Sequence, residues 1–201
     1  MSYTVFDETI REKEVLSSRF IASLRHVESE EDFAKHINEI KEAYPKAAHY
    51  CYGARFLSIE KMGDDGEPSH SAGLQILSAL RYKKLDNVSL IVVRYFGGTK
   101  LGLPRLTRTY REAAEEAILT AKIVEEKIGC EVTLAIPYSD LERLRYQLKK
   151  ATFSIKQIDY SENVIIVFLG EKEMVEHFLS KLSPNVILNK ETSKLFTEVH
   201  L

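Results

Sequence analysis

The sequence has little of what marks secreted, metal-binding or membrane proteins. Only two of its 201 residues are cysteines, Cys51 and Cys130, and they form no CxxC or other metal-type pair. So few cysteines argue against a disulfide scaffold and suit a reducing compartment. The first residues contain no apolar signal-peptide core, and no later run approaches the length of a membrane span. We therefore expect a cytoplasmic protein that does not bind a membrane.

Excess charge of either sign is also absent. The chain has 28 basic and 30 acidic residues, which gives a formal net charge of −2. Any affinity for nucleic acid must therefore come from a local cluster of cations rather than from the charge of the whole molecule. The chain contains no internal repeat, and with 44% hydrophobic residues it is long enough for one large or two small globular domains.

Acidic residues are missing from one cationic stretch, residues 94–111. The stretch follows an apolar β-branched run, residues 88–93, that predicts a strand buried on both faces. Pro104 predicts the first turn of a helix, whose buried stripe includes Leu106 and Tyr110. Cations in the first turns of a helix oppose its macrodipole, whereas a bound phosphate is favoured there. The five cations of this stretch are Arg94, Lys100, Arg105, Arg108 and Arg111.

We predict that this stretch contacts the phosphates of a nucleic acid. Gly97 and Gly98 would let the backbone approach a ligand or a neighbouring chain segment closely. Arg19 is a further predicted member of the contact surface. The alternative interpretation is a solvated face in which Arg94 and Arg105 pair with Asp64, Asp65 or Glu67 of an acidic loop.

That acidic loop, residues 62–73, is too rich in glycine, proline and charge to belong to a core. We expect Ser69 or Ser71 to cap the helix that follows it. Carboxylates are ligands for hard cations, so a metal-dependent hydrolase that also uses His49 is an alternative function. We favour the interpretation that the carboxylates cap the helix and hold neighbouring cations, and we predict no metal and no cofactor. The residues expected to line one side of the phosphate-binding groove are Asp64, Asp65, Glu67 and Ser69.

The other segments of the first half predict strands and one further helix. Residues 10–27 predict extended segments, and residues 47–59 predict a single strand. Between them, Ser29 and Asp32 approximate a capping box that opens a helix, and Pro45 ends it.

The second half of the chain predicts the element order β-α-β-β-α-β, which is typical of a ferredoxin-like fold. Residues 125–127, with the sequence Glu-Glu-Lys, predict a short linker before it. We therefore expect an N-terminal domain over residues 1–125 and a ferredoxin-like domain over residues 128–201. The sheet face that its helices leave open offers a surface for a protein partner.

Three sequence blocks of the first domain occur together. They are SRFIA at residues 18–22, DDGEPS at 64–69 with Ala72 and Gly73, and VRYFGGTKLG at 93–102 with Leu106 and Tyr110. In this combination the chain resembles the IMPACT family, and within it the bacterial YigZ-type members. It differs from the usual family pattern at residues 103–105, where Leu-Pro-Arg replaces glycine-rich sequence, and at residues 70–71, where His-Ser replaces Gly-Thr.

The resemblance implies an α+β protein. Its N-terminal α/β sandwich would be similar to the second domain of a small-subunit ribosomal protein, and its C-terminal domain to the last domain of elongation factor G. The resemblance also implies a link to translation regulation and nucleic-acid binding, with no established catalytic activity. We therefore expect a translation-associated regulatory protein that binds RNA or a ribosome-associated partner. A metal-dependent hydrolase and a protein-interaction module are the alternatives.

Overall fold

The structure, a computed structural model, describes residues 2–182 and 186–198. This part of the chain contains two five-stranded sheets and five α-helices, as the predicted α+β class requires. It divides into two compact units, residues 2–125 and residues 126–197. None of the described helices is long and apolar enough to cross a membrane.

The first unit is built around one antiparallel sheet with the strand order β2-β3-β6-β4-β5. Its central strand, β6, is the predicted apolar run, and its residues are buried from Val88 to Arg94. The elements of this half are β1 (Ser2–Val5), β2 (Thr9–Val15), β3 (Ser18–His26), α1 (Glu30–Ala43), β4 (His49–Phe56), β5 (Ile59–Gly63), α2 (Gly73–Tyr82), β6 (Val88–Tyr95) and α3 (Leu103–Thr120).

Helices cover both faces of this sheet. Val92 of β6 belongs to a core cluster with Ile76 of α2 and Tyr110 of α3. Its neighbour Ile91 faces the other way and packs in a second cluster with Ile40 of α1. Alternate residues of a strand point to opposite faces, so a central strand between two helical layers is apolar throughout. The predicted burial of β6 on both faces is confirmed.

The prediction of one strand over residues 47–59 is wrong, because the segment turns within that range. Leu57 and Ser58 have positive φ angles of 49° and 62° and connect β4 to β5 as a tight hairpin. Leu16 and Ser17 connect β2 to β3 in the same way, with φ angles of 46° and 64°. Hairpin turns of this kind usually carry Asn, Asp or Gly. Neither turn does; the β2–β3 turn is marked in the sequence only by the polar run at residues 17–19, and the β4–β5 turn has no local signal.

The predicted capping box of α1 is present. The backbone N–H of Asp32 donates to the Ser29 hydroxyl at 3.0 Å, and the Asp32 carboxylate accepts from the backbone N–H of Glu28 at 3.2 Å. These bonds satisfy donors that the first turn of a helix leaves unpaired. The helix ends at Ala43, before Pro45, as predicted.

The second unit has the predicted element order. Its elements are β7 (Ile123–Ile136), a short 3₁₀ turn (Tyr138–Asp140), α4 (Leu141–Lys150), β8 (Ser154–Tyr160), β9 (Val164–Glu171), α5 (Lys172–Leu179) and β10 (Ile187–Glu198). Strand β9 lies between β7 and β8, and β10 pairs with β7. Alternate residues of β7 and β9 pack against α4 and α5, which leaves the intervening residues on the other sheet face.

Residues 125–127, predicted as a short linker, lie inside strand β7, and the boundary between the two units falls within them, between residues 125 and 126. The segment contains no glycine or proline that would interrupt a strand. Ile123 and Val124 anchor its beginning in the interior, and Lys127 pairs with Glu171 at 3.2 Å. Strand β1 has no counterpart among the sequence predictions.

A fully buried histidine lies between α1 and the sheet. The ring of His36 contacts the hydroxyls of Ser23, at 2.9 Å, and Ser89, and a carboxylate oxygen of Glu8 lies 3.6 Å from it. Burial lowers the pKa of His36 to about 4, because the charged ring would lose its hydration. His36 is therefore neutral in the folded protein at physiological pH.

This histidine is expected to make folding pH-dependent between about pH 6.5 and 4. In that window the unfolded chain binds a proton that the folded protein excludes, so the free energy of unfolding falls as the pH falls. Once the pH has fallen through the whole interval between the two pKa values, the free energy of unfolding has decreased by about 3 kcal/mol. Urea unfolding at pH 7 and pH 4.5 measures it, and His36→Gln should reduce the difference between the two values. The exposed His177→Gln is the control, and equal pH dependence in both variants would contradict the assignment.

Candidate nucleic-acid interface

Three side chains form a row across the sheet at its end nearest to α3. In the strand register, Arg94 of β6 lies opposite His49 of β4 on one side and opposite Phe20 of β3 on the other. Residues in direct register share a sheet face. All three therefore point to the face that α2 and α3 cover, where the acidic loop also lies.

Glu67 of the acidic loop is the partner of Arg94. A guanidinium nitrogen of Arg94 donates to Oε1 of Glu67 at 2.6 Å, and the Tyr110 hydroxyl donates to the same oxygen at 2.8 Å. The side chains of Arg94 and Glu67 are only 6% and 4% exposed. A buried charge needs such a partner, because burial removes its hydration. Arg94 is therefore engaged inside the protein, as the alternative interpretation of the cationic stretch expected, and is separate from the exposed cations.

Asp64 forms the cap of α2 that was predicted for Ser69 or Ser71. Its carboxylate accepts the backbone N–H groups of His70, Ala72 and Gly73 at 2.8–3.0 Å. Burial opposes ionisation of this carboxyl, but the three N–H bonds outweigh it and hold its pKa below the ordinary value. The serine prediction is wrong because Ala72 occupies the N-cap position and no side chain of the adjacent residues caps the helix. An aspartate eight residues earlier reaches the same donors across the loop.

The second aspartate of the loop, Asp65, is also engaged. Asp65 accepts the backbone N–H of Tyr50 at 2.7 Å with its carboxylate, and its carbonyl oxygen lies 2.8 Å from Nδ1 of His49. The thiol of Cys51 donates to the Asp64 carbonyl oxygen at 3.0 Å, and burial raises the pKa of that thiol to about 12. Across the described residues no group of three or more His, Cys, Asp or Glu side chains is placed to hold a metal ion. The contacts of this loop fit helix capping and cation pairing.

Four cations of the stretch lie on the protein surface: Lys100, Arg105, Arg108 and Arg111. We call these four residues the cationic surface. Arg108 and Arg111 make ion pairs one helical turn along α3, with Glu112 at 3.2 Å and Glu115 at 2.9 Å. Within the described part of the chain, no ion pair involves Lys100 or Arg105. Helix α3 begins after Gly102 with no capping side chain and no acidic residue in its first turn.

Two of the other predicted contact residues, Arg19 and Gly97, contact other parts of the protein. Arg19 faces the α1 side of the sheet, where it binds both carboxylate oxygens of Glu12, at 2.5 and 2.7 Å, and lies 5.8 Å from the Tyr95 ring. Gly97 packs against the β2–β3 turn, since an added Cβ would lie 1.9 Å from the Ser17 carbonyl oxygen. Its close approach is thus to a neighbouring segment. Gly98 has a φ of 87° and open space beside it.

A cavity of about 390 Å³ opens next to the cationic surface. Its walls come from three separate segments: β4, the acidic loop, and the continuous stretch from the end of β6 to the start of α3. No single sequence motif contains all three segments, so no local pattern predicts the cavity. The lining residues that matter below are His49, Glu67, Arg94, Phe96, Lys100 and Leu103.

Comparison with known proteins finds a matching domain family in each half of the chain. The Impact N-terminal domain matches residues 16–118, and a domain of unknown function, DUF1949, matches residues 134–183. The IMPACT family member YvyE of Bacillus subtilis (strain 168) is 34% identical over 176 residues, which cover 85% of this chain and 81% of that protein. The IMPACT family member YigZ of Escherichia coli (strain K12) is 28% identical over 177 residues, which cover 85% of this chain and 86% of that protein.

A solved structure supports the fold. The crystal structure of an hypothetical protein superposes with a TM-score of 0.65 at 23% sequence identity, and the match covers 99% of this chain and 97% of that chain. The domain match over half of the chain and the identity to YvyE over most of it lead to one conclusion: the chain belongs to the IMPACT family.

Proposed function

We propose that this protein is a translation-associated regulator that binds RNA, free or within the ribosome, through the cationic surface. The observation that carries the proposal is the clustering of exposed positive charge at the start of α3. Four cations occur within residues 100–111, and that range contains no acidic residue. Family membership supports the link to translation that the sequence motifs implied.

The cations at the start of α3 would stabilise a bound phosphate, but they do not stabilise the helix itself. The positive end of the helix macrodipole and the nearby cations repel one another, whereas a phosphate would be attracted by both. Helix α1 shows the ordinary pattern, with Glu30, Glu31 and Asp32 in its first turn. In α3 the same positions carry no acid.

The ion pairs of Arg108 and Arg111 are compatible with RNA binding. Both are exposed pairs between residues four apart, and pairs of this kind contribute only about 0.3–0.5 kcal/mol. A phosphate accepts two hydrogen bonds from one guanidinium, so exchange of Glu112 or Glu115 for phosphate costs little. Arg94, by contrast, is held in the interior and positions Glu67 and the loop rather than a phosphate.

Replacing Arg105, Arg108 and Arg111 together by alanine is expected to weaken RNA binding and its salt dependence. Four phosphate contacts on single-stranded RNA predict a slope of log K against log salt of about −3, and Lys100 alone predicts a slope of about −0.7. Binding to total tRNA and to purified ribosomes, titrated with salt, measures the change. The matched control is Arg143, Arg145 and Lys149 to alanine, which removes three cations from α4. Unchanged binding of the α3 variant, or an equal loss in the control, would refute the assignment.

A further inference from the structure

We propose that the cavity beside the cationic surface binds the base of one unpaired nucleotide of the RNA, with guanine as the preferred base. The inference rests on the proposed function, since the RNA backbone would be held by the cationic surface. It is carried by polar groups on the cavity wall that have unused hydrogen-bonding capacity.

The first of these groups is the carboxylate of Glu67, which is 4% exposed. Its Oε1 accepts two hydrogen bonds, from Arg94 and Tyr110, whereas Oε2 has no hydrogen-bond partner among the described residues. The buried Nε of its partner Arg94 has no acceptor either. Glu67 lines the cavity, so its unpaired Oε2 can accept a hydrogen bond from a ligand there, whereas the unpaired Nε of Arg94 is fully buried and is not itself a contact for that ligand.

His49 supplies a second acceptor. Its Nδ1 lies 2.8 Å from the carbonyl oxygen of Asp65, and a carbonyl can only accept, so Nδ1 carries the hydrogen. In the neutral ring Nε2 is then an acceptor, and it lies 3.7 Å from Oε1 of Glu67. The two groups together favour a ligand that presents neighbouring N–H donors. Guanine presents two such donors, the ring N1–H and the N2 amino group, on its Watson–Crick edge.

The other walls suit a flat aromatic ring. Phe96 and Leu103 are both about half exposed and line the cavity together with Leu101 and Leu106. The Phe96 ring also lies over the guanidinium of Arg94, at 5.5 Å, which holds it beside the polar wall. Single-stranded RNA is commonly recognised by bases stacked on such exposed rings.

Size and charge at the rim agree with a nucleotide. The volume of about 390 Å³ falls at the lower end of the range for small-ligand sites. Lys100 lines the cavity and also belongs to the cationic surface, so it is placed to meet the phosphate of the bound nucleotide. A cationic ligand, which a carboxylate would otherwise accept, would be repelled by Lys100 and Arg94.

The test compares short oligouridylates that carry guanosine, adenosine or uridine at one central position. The wild-type protein is expected to bind the guanosine strand roughly tenfold more tightly than the adenosine and uridine strands. A factor of this size is what one good pair of hydrogen bonds to a base contributes to discrimination. Leu103→Trp, which fills the cavity from an exposed position, and Phe96→Ala should both remove this preference while leaving the salt slope unchanged. Leu119→Trp is the matched control, because Leu119 is 76% exposed on the same helix and does not line the cavity. Circular dichroism verifies that each variant is folded.

The possible outcomes separate this inference from the proposed function. A guanosine preference that is lost in both cavity variants and kept in the control supports it. Binding of all three strands with equal affinity would overturn the cavity assignment and leave RNA binding by the cationic surface intact. If no strand binds at low salt and guanosine monophosphate also fails to bind, both proposals are overturned.

Discussion

Replacing Glu67 by alanine is expected to lower the free energy of unfolding by about 3–5 kcal/mol, the usual cost of leaving one buried charge without its partner. In this variant the guanidinium of Arg94 stays in the interior without the one carboxylate that pairs with it among the described residues, and the buried Tyr110 hydroxyl loses its acceptor. Urea unfolding followed by circular dichroism measures the change. The same variant is a poor test of ligand binding, because its folded state is itself in question.

Two further variants test whether the lost stability of Glu67→Ala comes from the unpaired charge of Arg94. Glu115→Ala breaks the exposed pair with Arg111, and it should cost less than about 0.5 kcal/mol because water screens both charges. Adding Arg94→Met to Glu67→Ala removes the uncompensated charge, so the double variant should recover part of the lost stability. If Glu67→Ala costs no more than Glu115→Ala, Arg94 is not held by Glu67 in the folded protein.

Gly97→Ala is also expected to be strongly destabilising and to lower the free energy of unfolding by about 3 kcal/mol or more. The new methyl group would lie 1.9 Å from the carbonyl oxygen and 2.1 Å from the carbonyl carbon of Ser17. Both are backbone atoms of the β2–β3 turn, so the clash cannot be relieved by a rotamer change and has to open the hairpin or move the end of β6. Thermal or urea unfolding measures the loss.

The neighbouring glycine provides the comparison for this effect. Gly98 has no atom within 4 Å of an added Cβ, but its φ is 87°, which favours glycine. Gly98→Ala should therefore cost only about 1–2 kcal/mol, the penalty of a left-handed conformation for a residue with a side chain. A cost of Gly97→Ala equal to or below that of Gly98→Ala would show that the turn does not pack against Gly97.

The three sequence blocks that resemble the family meet around the Glu67 carboxylate. The first block contributes Phe20, whose ring meets the edge of the Tyr110 ring at 5.3 Å and lies 5.5 Å from the Arg94 guanidinium. The second block contributes Glu67, and the third contributes Arg94 and Tyr110, which both donate to it. The motifs therefore describe one buried contact that fixes the acidic loop, strand β6 and helix α3 relative to one another. This contact also forms the polar wall of the proposed base-binding cavity.

Local sequence patterns were sufficient to predict several parts of this protein. The apolar run of β6, the capping box at Ser29 and the β-α-β-β-α-β order of the second half each follow from residues that lie close together in the chain, and each is present in the structure. The motifs identified the family for the same reason. Residues 94–111 also carried enough local charge for a phosphate-contact prediction.

Which of those charges are exposed depends on contacts between segments that lie far apart in the chain. Arg94 and Arg108 look alike in the sequence, yet one is buried against Glu67, 27 residues away, and the other lies on the surface. The cap of α2 by Asp64 and the packing of Gly97 against Ser17 likewise join segments distant in the chain. The energy of a buried ion pair or a close backbone contact depends on burial, which strand register and helix packing set. These pairings cannot be predicted from local sequence. The cavity that they enclose therefore cannot be predicted from it either.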